Sequence, residues 1–409
     1  MYDYKDGLEI LCRAAKARQI KQKEQVGLQE AQGRICSNDI KAPIANQPFD
    51  NSAMDGYALR AQDIKKASDE NPVDLSCRNE IVAGDSDKAG AIAHGQCIRI
   101  MTGAPVPEGC DVVVPVENTE EKDKHIVFTH PAREGANIRL AGEDYQKGDN
   151  VLSKSDLIES SHILPLATLG IHSVSVLRKL KVALISTGKE LVTDMNSQLG
   201  PGKIYNSNGP YLSAMIRNFG AELIELGAVP DDLSQYKNKI SQAREQKADL
   251  ILSTGAVSAG VHDFVPSVLK EMGAQILFHK CKIRPAKPIL GACFEQDGPM
   301  VIGLPGNPVS AASGYRFFAV PVMRFLLDLP QEEPVRARLD NAYHKRKSDF
   351  TFFLKARHYI DDVGQTRVEI LPGQESFKTA PFTKMTCWAV GEAGRSDLGV
   401  DELIDIYPL

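Results

Sequence analysis

The sequence predicts a multidomain α/β protein: a central doubly wound α/β domain, mixed and β-rich N-terminal modules before it, and a small β-barrel-like C-terminal domain after it. Three observations predict this. Between Lys181 and Leu327, apolar strand-like runs alternate with helix-length segments, the order of a sheet covered by helices on both faces. On either flank the apolar runs shorten and are punctuated by Gly and Pro, as in compact β modules. The length of 409 residues exceeds what one ordinary core organises and favours about two to four domains.

Taken in order, Leu8 to Gln29 places apolar side chains at Leu8, Leu11, Cys12, Ala15 and Ile20 among Lys and Gln, which predicts an amphipathic helix ending near Gly33. Pro43, Pro48 and Asp50-Asn51-Ser52 then break regular structure and lead a loop into Asp55-Gly56-Tyr57. Short strands are expected at Cys97–Met101, Val112–Val116 and His125–Thr129. In the central section, strands are expected at 182–186, 223–226, 249–253, 289–290 and 300–304, with helices near 209–218, 234–246 and 309–327, giving a parallel sheet. Beyond Pro330, runs at 350–360, 366–371 and 385–390 predict a terminal β-domain that carries no functional motif and reads as structural. The expected boundaries are 1–45 with 141–180 and 46–140 for the N-terminal mixed and β-rich modules, 181–328 for the α/β domain and 329–409 for the last.

Composition narrows the function. Forty-eight Lys and Arg against 53 Asp and Glu leave a formal charge of −5, so no sequence-wide attraction for nucleic acid or an anionic membrane exists, and any anion site is local. The apolar run Phe317–Leu329 is interrupted by Pro321, Arg324 and Asp328 and is too short to span a bilayer. No basic-then-apolar leader is read at the N-terminus, and the cytoplasm is the expected location. Eight scattered cysteines form no C-x-x-C pair and read as reduced thiols. No histidine spacing suits a metal or a serine triad, and no Walker pattern occurs, which argues against a triad hydrolase and a P-loop ATPase.

Three Gly-containing loops leave predicted strand ends: Ser186-Thr187-Gly188-Lys189-Glu190, then Thr254-Gly255-Ala256-Val257-Ser258, then Pro305-Gly306-Asn307-Pro308. In an open α/β sheet such loops gather beyond the carboxyl ends of the strands, where backbone N–H groups meet anions. One loop alone reads as a tight turn; three together point to phosphate recognition. Carboxylates fall at comparable places, Glu190, Asp232 beside Asp231, and Asp263, and hard oxygen ligands of this kind suit Mg²⁺. Asp231-Asp232 taken alone reads better as a turn and helix cap. Lys280 to Pro288 concentrates Lys280, Lys282, Arg284 and Lys287, and is read equally as a surface strand or as an anion clamp stiffened by Pro285 and Pro288. Tyr57, Tyr205, Phe264 and Phe278 are candidates to stack on a ring, though core packing is the stronger reading of each.

Pro48-Phe-Asp-Asn-Ser-Ala-Met-Asp-Gly-Tyr-Ala58, Arg99-Ile-Met-Thr-Gly-Ala-Pro105, Gly142-Glu-Asp144, Ser186-Thr-Gly188 with Glu190, and Leu304-Pro-Gly-Asn-Pro-Val-Ser310 occur in family order. With them the chain resembles the MoeA-type molybdopterin molybdenumtransferases and the C-terminal half of gephyrin. The resemblance implies an enzyme of molybdenum cofactor biosynthesis that inserts molybdate into adenylylated molybdopterin with Mg²⁺ and releases AMP, its α/β part being the molybdopterin-binding domain. It also implies an elongated homodimer, with 1–45 and 141–180 as the elongated dimerisation domain and 46–140 inserted in it, an adenylyltransferase upstream and molybdoenzyme apoproteins downstream. Asp55, Thr102 and Asp144 would face the site from one subunit, and Glu190, Asp232 and Asp263 from the other. Glu190, Asp232 and Asp263 would serve Mg²⁺, with Arg284 and Lys287 on anionic oxygens. The remaining substrate contacts implied are Ser186, Thr187, Gly188, Thr254, Gly255, Ser258, Pro305, Gly306, Asn307 and Pro308. The chain departs from the family at Ala256 and Ala286, where glycine is common, at Lys189, where an acidic or amide residue is frequent, and at Arg284, where Lys is common. A nucleotide-cleaving hydrolase or adenylyltransferase on the same fold, and a noncatalytic pterin-binding scaffold, are the alternatives.

Overall fold

The computed structural model describes residues 1–85, 90–257, 264–295 and 298–409. The chain divides into two compact units: residues 1–24, 33–35 and 176–409 form one, and residues 25–32 with 36–175 the other.

The first unit begins with helix α1 (Tyr4–Lys16), whose period buries Leu11, Cys12 and Ala15. The helix expected through Gln29 stops at Lys16, and a strand occupies Lys23–Gly27. The polar run Lys21 to Gln25 has no apolar stripe with which to continue a helix.

In the second unit a mixed six-stranded sheet is built from β1 (Gly56–Leu59), β2 (Val73–Ile81), β3 (Gln96–Ile100), β4 (Val112–Pro115), β5 (Thr119–Lys122) and β6 (His125–Phe128), in the order β4-β1-β3-β2-β6-β5. The strands expected near 97, 112 and 125 are present. Tyr57, Leu59, Leu75, Cys97, Val112, Ile126 and Phe128 form its core, with Tyr57 edge-on to Phe128 at 6.4 Å. Helix α2 (Ser160–Thr168) follows.

The α/β domain supplies β7 (Lys181–Thr187), β8 (Glu222–Val229), β9 (Leu250–Thr254), β10 (Gln275–His279), β11 (Leu290–Cys293) and β12 (Met300–Leu304), ordered β8-β7-β9-β12-β11-β10. Helices α3 (Asn208–Asn218), α4 (Leu233–Glu245) and α5 (Val265–Glu271) intervene. The sheet is doubly wound: Val182 and Leu184 face α3 through Leu212 and Ile216, while Ala183 and Ile185 face Tyr236, Ile240, Val265 and Val268 of α4 and α5. Burial on both faces explains why these strands are continuous apolar runs. The parallel arrangement expected for every strand holds for the first four; β11 pairs antiparallel with both β12 and β10.

The single helix expected over 309–327 is instead α6 (Pro308–Gly314), a π-turn at Tyr315–Ala319, and α7 (Val320–Leu326). Pro321 has no N–H for the carbonyl one turn back, and the widened turn absorbs the mismatch. That carbonyl, of Phe317, accepts from the Tyr4 hydroxyl at 3.4 Å.

The C-terminal strands β13 (Val335–Leu339), β14 (Thr351–Ile360), β15 (Thr366–Ile370), β16 (Cys387–Gly391) and β17 (Leu403–Pro408) close on themselves in the order β14-β15-β13-β17-β16. β16 returns to β14, so the expected barrel is present and has five strands. No helix among the described residues is long and apolar enough to cross a membrane.

Candidate functional site

Strand order sets the first location. The chain passes from β7 to β8 on one side and then to β9 on the other, so the switch point lies at the carboxyl ends of β7 and β9. Parallel register brings Thr187 beside Val229, Ser186 beside Thr254, and Thr254 beside Leu304. The three glycine loops are therefore neighbours.

At Gly255 the packing leaves no room for a side chain. Gly255 has φ +86°, and a Cβ there would lie 2.4 Å from the Thr187 carbonyl oxygen. A Cβ on Gly306 would sit 3.7 Å from the Gly255 Cα, so two glycine backbones face each other. Gly188 has φ +149°, and its missing Cβ makes way for the Glu190 carboxylate, whose Oε1 would otherwise be 2.6 Å from it. The Glu190 carboxylate forms no hydrogen bond or ion pair with any described residue.

The hydroxyls expected to face a ligand are largely spent inside the protein. Thr187 Oγ1 donates to the Thr254 carbonyl at 3.0 Å, and Ser186, Thr187 and Thr254 are all buried. Ser186 instead accepts from Asn206 Nδ2 at 3.2 Å, and Asn206 Oδ1 accepts from the Gly209 N–H at 3.0 Å. Asn208 Nδ2 donates to the Gly306 carbonyl at 2.7 Å and ties α3 to the third loop. Sequence reasoning misses Asn206 and Asn208, although Asn-Ser-Asn-Gly ahead of an apolar stripe is a helix-start signal. His279 Nε2 meets the Val257 carbonyl at 2.7 Å and anchors the second loop. Ser258, Asp263 and His262 lie outside the described residues.

Asp232 caps α4: its Oδ1 accepts from Ser234 Oγ at 2.6 Å and from the Gln235 N–H at 2.9 Å. These bonds hold its carboxyl below the usual range, the Ser234 hydroxyl most of all. Among the described residues no group of three or more Asp, Glu, His or Cys forms a metal cluster.

The basic segment has become part of the barrel. Ile283–Arg284 pairs in parallel with β14, placing the Arg284 guanidinium 5.9 Å from the Phe350 ring. Lys282 is consumed by Asp3 at 3.1 Å, whereas Arg284 and Lys287 are exposed on a cavity of about 710 Å³. Asn307 and Ser310 join them from the α/β domain, and His344, Arg346, Gln374 and Ser376 from the barrel. Asn307 Nδ2 donates to Ser376 Oγ at 3.1 Å across this cleft. The barrel, read from sequence as structural, therefore supplies one wall of the cavity and a further cation in Arg346. The two lining carboxylates, Glu369 and Glu375, are paired with Arg357 at 3.0 Å and Lys378 at 2.9 Å.

In the other unit, three distant segments converge. Ser52 pairs with Ile138 and Asn51 with Arg139, while Asn51 also bridges Pro105. Asp55 Oδ1 accepts from both the N–H and the hydroxyl of Thr102, at 2.7 and 2.8 Å. Those two bonds lower its pKa, with help from Arg99. Gly56 is required in β1, since a Cβ there would lie 2.2 Å from the Val114 carbonyl oxygen. Asp144 Oδ2 accepts from Asn46 Nδ2 at 2.7 Å and remains exposed. Of the aromatic candidates, Tyr57, Phe264 and Phe278 are buried, and only Tyr205 is exposed, at 37%.

Residues 3–170 match the family model of the MoeA N-terminal region (domain I and II), and residues 183–324 match that of a probable molybdopterin binding domain. The chain is 35% identical over 393 residues to the molybdopterin molybdenumtransferase of Synechococcus elongatus, covering 94% of each protein. It is 35% identical over 390 residues to that of Haemophilus influenzae, covering 95% of this chain and 94% of the relative. The crystal structure of the molybdopterin biosynthesis moeA protein from Pyrococcus horikoshii aligns with 100% of both chains at a TM-score of 0.86 and 27% identity.

Proposed function

The chain belongs to the MoeA family of transferases, and from that membership we propose that it is a molybdopterin molybdenumtransferase, inserting molybdate into adenylylated molybdopterin with release of AMP. The observation that carries this reading is the gathering of three glycine loops at the switch point, the third of which reaches, through Asn307, a cavity bearing Arg284, Lys287 and Arg346. A substrate with phosphate groups and an oxyanion co-substrate need both: close-approach backbone for one and fixed cations for the other.

Residue roles follow from chemistry. Ser186, Thr187, Gly188, Thr254, Gly255 and Pro305 to Pro308 are proposed to form the phosphate side of the site, with Ser258 part of the same proposal. Arg284 offers a planar fork and Lys287 a point charge, so together they hold and orient oxyanion oxygens. The Thr102-held Asp55 is a carboxylate kept ionised at neutral pH and is proposed, with Thr102 and Asp144, to orient the reacting groups.

Mg²⁺ takes a few carboxylates and completes its shell with water and phosphate oxygens, so an open donor set fits it better than a closed cluster would. The Glu190 carboxylate, unpaired among the described residues, fits that requirement, and Asp232 retains an oxygen beyond the one that caps α4. Asp263 completes the proposed set. The ion would neutralise charge on phosphate oxygens as AMP departs. The enzyme is proposed to work as a cytoplasmic homodimer, between an adenylyltransferase that supplies its substrate and the apoproteins that receive its product.

Asp55→Asn and Glu190→Gln test the assignment. Each is expected to abolish insertion while circular dichroism and thermal unfolding stay those of the parent; full activity in both would overturn the proposed roles.

A further inference from the structure

The barrel buries two lysines, Lys345 and Lys355, at 1% and 0% exposure. A buried ammonium persists only where protein acceptors make up for the water its N–H groups lose. Lys345 donates to the carbonyls of Phe350, Gly391 and Glu392. Lys355, on β14, donates instead to the carbonyls of Glu375 and Lys378, at 3.2 and 3.0 Å.

The backbone of Lys355 holds the same segment. Its N–H donates to Gln374 Oε1 at 3.0 Å, and its carbonyl accepts from Gln374 Nε2 at 2.8 Å and from the Leu371 N–H at 3.0 Å. One residue thus grips 371–378 through side chain, donor and acceptor. Residues 371–376 are a wall of the anion cavity. That wall is joined to the third glycine loop by Asn307 Nδ2 on Ser376 Oγ and by the Val309 N–H on the Ser376 carbonyl, both at 3.1 Å.

We propose that Lys355 is a positioning residue for the anion cavity, its buried ammonium fixing the 371–378 segment so that Gln374 and Ser376 stand opposite Arg284, Lys287 and Arg346. This role rests on the proposed transferase function. Barrel packing by itself does not call for this lysine, since an apolar side chain of similar length fills such a position without desolvating a charge. What needs it is the pair of loop carbonyls turned inward.

Charged groups facing the ammonium are Glu375 and Lys378, themselves paired at 2.9 Å, while the partner opposite Lys355 on β16 is Trp388. Burial pushes Lys355 down to about 8, and Glu375, held low by Lys378, stays ionised there. Below that value the ammonium grips both carbonyls; above it an amine remains, with one donor fewer and weaker bonds. As pH rises through this range the two carbonyls each keep a donor but lose its charge, and molybdate affinity is expected to weaken.

The test compares Lys355→Met with the parent, using molybdate itself as the probe. We expect amide exchange in 371–378 to quicken about tenfold or more, while 387–391 and 403–408 stay protected. We expect the KM for molybdate to rise about tenfold with kcat changed less than about threefold, and the loss of affinity between pH 7 and 9 to disappear. Should the variant fail to fold, Gln374→Ala loosens the same segment without touching the buried charge and is expected to show the same KM split. Unchanged exchange in 371–378 of a folded variant, or a molybdate KM within about twofold of the parent, overturns the proposal. A parent enzyme with no molybdate-dependent turnover overturns the transferase function instead, and the exchange result then decides the role of Lys355.

Discussion

Two adjacent residues of the second glycine loop should respond to substitution with opposite sign. At Gly255, with φ +86°, an L side chain is strained by about 1–2 kcal/mol. Its Cβ would also stand 2.4 Å from the Thr187 carbonyl oxygen and 2.6 Å from Thr187 Oγ1. Relieving that overlap means moving the end of β7, at about 1–3 kcal/mol for an overpacked site. Gly255→Ala should therefore destabilise by about 2–5 kcal/mol. Ala256 already occupies the left-handed region at φ +50°. Ala256→Gly removes about 1–2 kcal/mol of strain, against roughly 0.4–1 for the greater freedom of the unfolded glycine and a few tenths for a half-buried methyl. The net is a gain of about 0.5 kcal/mol. Urea unfolding followed by the fluorescence of Trp388, the chain's single tryptophan and fully buried in the same unit, reports both changes. Shifts of the same sign at the two positions, or a Gly255→Ala variant within about 0.5 kcal/mol of the parent, would refute this view of the loop.

Further outcomes follow from other contacts. Arg178 holds Asp249 through two bonds, 2.8 and 2.7 Å, and the same carboxylate accepts from the Lys181 N–H at 2.8 Å. Arg178→Ala leaves a largely buried carboxylate unpaired and should cost about 2–4 kcal/mol by urea unfolding, with Arg178→Ala/Asp249→Asn recovering part of it. Cys77 is half-buried and its thiol is held down by a hydrogen bond from Cys97, whereas burial pushes Cys12 and Cys281 up to about 12. Mass spectrometry after brief iodoacetamide treatment at pH 7.5 should find Cys77 alkylated first; equal labelling of Cys12 contradicts this. The Thr102 bonds lower the folded-state pKa of Asp55, so their contribution to stability is complete above the unfolded value of about 3.9 and is lost as pH falls through the folded one. The Thr102 amide resonance should therefore titrate with a midpoint below the ordinary Asp range, and a midpoint at or above it would count against the geometry.

Much of this fold is legible in the sequence because the parallel strands are buried on both faces. Val182 to Ile185 and Met300 to Leu304 are uninterrupted apolar runs, which no exposed element resembles. β13 and β17 are hidden, since Arg336, Arg338 and Asp405 alternate with their buried residues and make them look like polar connections. Helix α1 reads too long because Ile20 falls on its apolar period yet is buried after the helix has ended.

At the candidate site, loop positions are readable and contacts are not. Glycines mark where backbone must approach backbone, as at Gly56 and Gly255. Nothing local shows that the Thr187 hydroxyl is spent on Thr254, or that residues 283–288, 341–346 and 369–376 meet around one cavity. Lysine is seldom buried, so Lys355 gives no sign of its place until the barrel is closed. The likeness of the motifs to one family, rather than any single spacing, is what joins the two sets of carboxylates into one functional reading.

Molybdenum insertion is tested most directly by measuring AMP release from adenylylated molybdopterin and Mg²⁺ with and without molybdate. A molybdenumtransferase should release AMP only when molybdate is present, in step with formation of the molybdenum cofactor. AMP release indifferent to molybdate would mark a nucleotide-cleaving hydrolase, and tight binding without turnover a scaffold; either result contradicts insertion.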